Sequence, residues 1–216
     1  NMNNQISVTR KTTESEMSVT LDFSPIKPDY RKKIDTTIPF LNHMIEHIAW
    51  RSGINIETKV VLSDFTLSHL ITEDLGMALG KAVAEYIKRN TNNGVTGFGD
   101  ARGMIDEALA QTAMSFESRA YFHIDYHGNE LTEAVEGLDT QDLETFLEGF
   151  AQGACCTLQI DLFRGHNGHH IWEAIYRSFG SCLKNVVNLD ESRKGMTSGV
   201  AGTISCATST SPQTSQ

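Results

Sequence analysis

The chain has 216 residues with a formal net charge of −9, long enough for a sizeable core as one large domain or two intimate halves. The acidic balance and the lack of a Lys/Arg-rich patch argue against nucleic acid as a partner, although an anionic small molecule remains compatible with local cations gathered in a pocket. No apolar run reaches the roughly 18 residues of a membrane span, and no charged-then-apolar leader is visible, so no membrane partner and a cytoplasmic placement are expected.

In chain order, Ile6 to Phe23 alternates as a strand, with Val8, Met17, Val19, Leu21 and Phe23 on the apolar side and a turn near Lys11 to Ser15. Pro25 and Pro28 mark a turn. Pro39 stands where a helix starts, since its fixed φ suits the first turn and its missing N–H would be unpaired there anyway. Leu41, Met44, Ile45 and Ile48 make that helix's apolar face, leaving Asn42, His43, Glu46 and His47 around the remainder. His43 to His47 spells HxxEH, the inverted zinc-peptidase signature, but the match is five residues long and His47 reads as a surface or pocket-lining residue. Ile54 to Leu62 reads as a strand and His69 to about Arg89 as a helix.

Asn90 to Gly99, rich in Asn, Gly and Thr, has the composition of a connector. Met104 to Met114 is helical or extended, and Tyr121 to Tyr126 is strand-like, with His123 on a sheet face. Leu143 to Ala154 then repeats the helix-like run, Thr157 to Phe163 the strand-like run, and Gly168 onward a second polar-headed helix. The four Cys show no CxxC pair and no scaffold density, so buried reduced thiols are expected.

The pattern is an internal repeat. Ser68-His69-Leu70-Ile71-Thr72-Glu73 is echoed by Gly168-His169-His170-Ile171-Trp172-Glu173, and Leu79-Gly80 by Phe179-Gly180. A repeat of this length implies two similar half-domains packed on each other rather than a solenoid. The halves are placed at residues 1–93 and 94–204, with 205–216 as a disordered tail. In each copy a His and a Glu stand four residues apart, which on a helix sets imidazole and carboxylate on one face, one turn apart. Such a pair suits Mn²⁺, Fe²⁺, Zn²⁺ or Ni²⁺, with no thiolate to steer the choice toward zinc. The residue after the first His points about 100° away, so His170 would address a different metal from His169.

Ile38-Pro39-Phe40-Leu41-Asn42-His43-Met44, His69 to Gly76, Gly99 to Leu109 and Asn167 to Ala174 resemble, in order, the imidazoleglycerol-phosphate dehydratase family, from about Ser7 to Gly202. The resemblance implies an α+β fold: a tandem duplication of a β-sheet/two-helix half-domain of the ribosomal protein S5 domain 2 type, helices sandwiched between the sheets. It further implies Mn²⁺ at subunit interfaces, a homo-oligomer of 24 subunits, and a small-molecule substrate dehydrated in histidine biosynthesis. Carried over by position, His43, His69, Glu73, His169, His170 and Glu173 stand at metal-ligand positions. Glu14 stands for an acid/base glutamate, with Glu73 and Glu173 as further catalytic carboxylates, and Arg119 and Arg177 stand for substrate-phosphate contacts.

Departures from the family pattern are specific. Leu70 replaces a ligand His, Gln159 another, Gly97 a phosphate Arg, Asn42 an Asp and Arg51 a His, while Val200 to Ile204 lacks the Lys of the family's terminal phosphate loop. Symmetry pairing of His43 with Gln159 would leave one metal with His69, Glu73, His170 and a fourth ligand, and the other with only His169 and Glu173. The expectation is therefore a metal-dependent lyase with one or two Mn²⁺, or another divalent transition ion, per chain. The alternatives are a one-metal paralogue acting on another substrate and a non-catalytic binding or assembly protein.

Overall fold

The computed structural model describes residues 4–64 and 66–212. Residues 1–3 of the first expected half and 213–216 of the expected tail lie outside them. Strands β1 (Gln5–Lys11) and β2 (Ser15–Asp22) form an antiparallel hairpin that β3 (Asn55–Leu62) extends to a three-stranded sheet. Along β2 the alternate residues Met17, Val19 and Leu21 are buried, the period-2 pattern of a sheet with one face on the core. Helix α1 (Pro39–Ser52) precedes β3 and helix α2 (Ser68–Arg89) follows it. Pro39 starts α1, and Gly53 at φ 75° ends it, in the left-handed conformation that closes a helix without a Cβ penalty.

The second half repeats this order with an added strand. β4 (Phe98–Ile105) and β5 (Ala108–Ser115) form the hairpin, so the stretch from Met104 to Met114 is extended, with the chain reversing at Asp106 and Glu107. β6 (Tyr121–Asp125) pairs in parallel with β9 (Thr157–Arg164), giving the order β4-β5-β9-β6. Between them lie a short ribbon, β7 (Ala134–Val135) with β8 (Leu138–Asp139), and helix α3 (Thr140–Ala154). Helix α4 (Gly168–Val186) follows β9.

The halves meet through their helices. α2 packs on β1 and β2, α4 on β4 and β5, and across the middle α2 lies on α3 and α1 on α4. The helices are thus the filling between two sheets, and one continuous apolar core runs from Met17 and Leu21 through Leu41, Ile48 and Leu75 to Phe146, Phe150 and Phe179. The α2–α3 contact is very close. A Cβ on Gly76 would collide with the Phe146 carbonyl, and one on Gly153 with that of Met77. Among the thiols, Cys156 and Cys182 are buried and held up to about 12 chiefly by burial. Cys155 and Cys206 are exposed, correcting the expectation of buried thiols throughout: Cys155 caps the end of α3 in a left-handed conformation. Residues 205–212 are exposed and carry no helix or strand. Among the described residues no helix is long and apolar enough to cross a membrane.

Candidate metal centre

Two local devices set the register of the site. Before α1, Asn42 Oδ1 accepts hydrogen bonds from the Thr36 backbone N–H at 2.7 Å and the Thr36 hydroxyl at 2.6 Å, pinning the entry loop to the first turn. At the start of α4, Asn167 accepts from the His170 N–H at 3.2 Å as an N-cap. With Met44, Ile45, Ile48 and Ala49 buried, His43 and His47 fall one turn apart at the α4 side of α1. His169 and Glu173 fall one turn apart on α4, facing them.

The result is a convergence of donors. Glu173 is 4% exposed, and its Oε1 lies 3.0 Å from His47 Nε2. Its Oε2 lies 3.1 Å from His169 Nε2 and 4.0 Å from His43 Nε2, and the Nε2 atoms of His43 and His47 are 3.3 Å apart. Donors about 2.1 Å from a common ion sit about 3.0–3.5 Å from one another in octahedral or tetrahedral arrangements, so the mutually close group of His43, His47 and Glu173 suits a divalent transition metal, with His169 beside the outer Glu173 oxygen. The outer nitrogens are tied to carboxylates, His43 Nδ1 to Glu46 Oε2 at 3.3 Å and His169 Nδ1 to Glu136 Oε1 at 3.2 Å. A carboxylate can only accept, so with an ion taking Nε2 these contacts would hold the proton on Nδ1, as metal-binding imidazoles require.

Electrostatics agree with that role. Burial pushes His47 down to about 4, outweighing the pull of Glu173, while His43, Arg177 and Arg51 push it down further, so it is neutral at pH 7. Glu173 is lowered below its ordinary value: burial works against this, but His47 when protonated and the 2.5 Å bond from Arg177 Nη2 prevail, and with His47 neutral it is Arg177 that keeps the carboxylate ionised. Arg177 is itself anchored by Nη1 on the Met104 carbonyl at 2.9 Å.

The other copy of the motif is a fragment by comparison. His69 Nε2 lies 3.2 Å from Glu73 Oε2 and its Nδ1 3.6 Å from Asp142 Oδ1, with the side chains 67% and 40% exposed for His69 and Glu73. No third donor joins them among the described residues, and Leu70 packs partly against the core. Within one chain His169 and Glu173 hold the fuller set, with His43 and His47 beside them; the symmetry pairing of His43 with Gln159 does not hold, because His43 is on α1 and Gln159 is on β9, beside His123 on the outer face of the second sheet. His170 is turned away, as its offset from His169 predicts, with Nδ1 2.8 Å from Glu107 Oε2. That hydrogen bond raises His170 above the ordinary imidazole value, while the backbone N–H of Asn167, with His170 next, lowers Glu107 to about 2.

Of the remaining expected residues, Glu14 is exposed in the β1–β2 turn, and its carboxylate has no hydrogen-bond partner among the described residues. Arg119 lines a 610 Å³ cavity with Lys88 and residues 196–204, apart from the donors. Arg177 is at the centre itself. His47 is the residue that sequence reasoning missed, although its spacing from His43 carried the signal.

A family model described as imidazoleglycerol-phosphate dehydratase matches residues 36–183. The chain belongs to that family. It is 33% identical over 201 residues to the imidazoleglycerol-phosphate dehydratase of Chromobacterium violaceum, covering 92% of this chain and 97% of that one. It is 34% identical over 200 residues to that of Burkholderia multivorans, covering 91% and 97%. Crystal structures of family members agree: that from Pyrococcus furiosus gives a TM-score of 0.74 at 26% identity over 91% of this chain and 100% of that one. The Staphylococcus aureus structure gives 0.70 at 26% identity over 86% and 100%. The family's duplicated half-domain fold is the one described above.

Proposed function

We propose that this chain is a metal-dependent dehydratase that removes water from imidazoleglycerol phosphate in histidine biosynthesis, with Mn²⁺ held by His43, His47 and Glu173 and with His169 next to them on Glu173. The observation that carries the reading is the convergence of three imidazole Nε2 atoms on one buried carboxylate in a chain of this family. When bound, the metal supplies a Lewis acid that draws charge from the substrate's imidazole ring and eases loss of a proton from a carbon that is not acidic.

The chain's own residues divide the remaining work. Both oxygens of Glu173 are engaged, so it holds and orients. Arg177 keeps it ionised. Glu14, exposed and with a carboxylate free of hydrogen bonds among the described residues, is the group available to carry a proton to or from substrate, with Glu73 as the second. The exposed His69–Glu73 pair lacks donors that His170 of a second copy can supply, which gives a homo-oligomer, 24-subunit in the family pattern, a direct purpose.

The test is complementation of a histidine auxotroph lacking its dehydratase, with metal content and imidazoleglycerol-phosphate turnover measured on one manganese-reconstituted sample. Growth, bound metal and turnover are the expected outcome. Bound metal without growth or turnover would overturn the substrate assignment, and absence of metal would overturn the centre.

A further inference from the structure

The outer face of the second sheet carries a group of donors that the proposed reaction does not use. Asp125 ends the edge strand β6, and Asp161 stands opposite it on β9 as its direct partner in the parallel register. Both side chains point away from the core, because Ile124, Ile160 and Leu162 beside them are the residues turned inward. Like charges directly opposite each other on neighbouring strands repel, and neither Asp has a Lys or Arg partner among the described residues. Arg102, on the same face, is engaged elsewhere, with Gln111 Oε1 at 3.3 Å and over the Phe163 ring at 5.6 Å.

His127 completes the group. The chain reverses after β6 with φ 50° at His127 and 74° at Gly128, the His127 N–H donates to Asp125 Oδ1 at 2.7 Å, and Asn129 Nδ2 ties the loop to the Leu162 carbonyl of β9 at 3.2 Å. His127 Nε2 then lies 2.8 Å from Asp161 Oδ1 and 3.9 Å from Asp125 Oδ2. One donor atom from each residue falls within 4.8 Å of the others, so small carboxylate rotations reach the about 3.0–3.5 Å separation of ligands on one ion. Charge selects the ion. An imidazolium brings one positive charge to two carboxylates, whereas a divalent cation balances both, and one imidazole nitrogen with two carboxylate oxygens suits Zn²⁺, Co²⁺ or Mn²⁺. The second sheet separates this group from the α1–α4 centre: Thr112 of β5 bonds Ser178 of α4 on the inner face at 2.7 Å, whereas Gln111, the β5 partner of Asp161, lies on the outer one.

We propose that Asp125, His127 and Asp161 form a divalent transition-metal site, independent of the reaction, that clips the edge strand β6 to β9.

The experiment is equilibrium dialysis of the metal-stripped full chain against cobalt(II) chloride, with equivalents per chain read by elemental analysis and folding verified by circular dichroism. The proteins compared are the native chain, Asp125→Asn, Asp161→Asn, His127→Gln and Glu173→Gln. Each of the first three variants loses one equivalent that the native protein holds, or binds it at least about tenfold more weakly, and Glu173→Gln retains that equivalent. In Glu173→Gln, cobalt slows deuterium exchange of the Tyr121–Asp125 amides, and adding Asp161→Asn abolishes the protection. Should Asp161→Asn fail to fold, Asp125→Asn decides, because its amide oxygen still accepts the His127 N–H. Native-level cobalt in all three variants, loss confined to His127→Gln, or loss confined to Glu173→Gln would each overturn the site. Cobalt bound through these residues without slower exchange in β6 would overturn the clip.

Discussion

The α1–α4 and α3–α2 helix pairs are the same construction used for opposite ends. Met44, Ile45, Ile48 and Ala49 of α1 and Phe146, Leu147, Phe150 and Ala151 of α3 are buried in the same pattern. Aligned on that pattern, His43 falls on Thr145 and His47 on Gly149. A Cβ at Gly149 would already be 2.7 Å from the Glu73 carbonyl, so α2 and α3 approach too closely there for an imidazole to stand between them. One pair was closed by small residues and serves packing, while its counterpart stayed open enough to hold donors. Duplication supplies two His–Glu helices, and the partner helix decides which becomes a centre.

The largest effect that should separate the pairs is on metal. Glu173→Gln removes the one charge that the donors share and should lower manganese affinity on the order of 100-fold, read by elemental analysis after dialysis. Glu73→Gln should lose at most the ion that His170 of a second copy helps to hold and keep the α1–α4 centre's, and a Glu73→Gln protein that retains no metal would erase the contrast. Next, His47→Ala should cost about tenfold in affinity while Leu70→Ala costs none, since only the former faces the carboxylate. Gly149→Ala then tests the packing side: overfilling the α2–α3 contact should destabilise the fold by about 1–3 kcal/mol in urea unfolding without touching metal content. A neutral result would mean the close approach is not what excludes a donor.

Much of this was legible in the sequence because it is local. Period-2 burial marked β2, Pro39 marked the start of α1, and the echo of Ser68 to Glu73 in Gly168 to Glu173 exposed the duplication. What was not legible is which helices face each other. The pairing of α1 with α4 and α2 with α3 crosses between halves, so the fuller donor set was assigned to His69 and Glu73. The spacing of His43 and His47 was visible, but the HxxEH string drew attention to a peptidase motif instead of to the α4 carboxylate that completes the group. The Met104 to Met114 stretch stayed ambiguous because its reversal rests on a positive φ at Asp106, a conformation that few non-glycine residues adopt.

The smallest effect asks whether an exposed His–carboxylate pair has any stability to lose. His127 Nε2 lies 2.8 Å from Asp161 Oδ1 on the outer face of the second sheet, a solvated pair like His69–Glu73 though with a less exposed imidazole. The hydrogen bond to Asp161 raises His127 above its ordinary value. A raised imidazole contributes stability that is fully present below the unfolded-state value, about 6.5, and is lost as pH rises through the folded value. In a metal-free sample the His127 ring proton should therefore titrate above that of an unstructured peptide histidine by NMR, and Asp161→Asn should bring it back. Because the pair is solvated, the same substitution should move the unfolding midpoint very little at any pH. A large shift would mean that surface His–carboxylate pairs in this fold are structural after all, and that the exposed His69–Glu73 pair can be explained as packing rather than as an unfinished metal site.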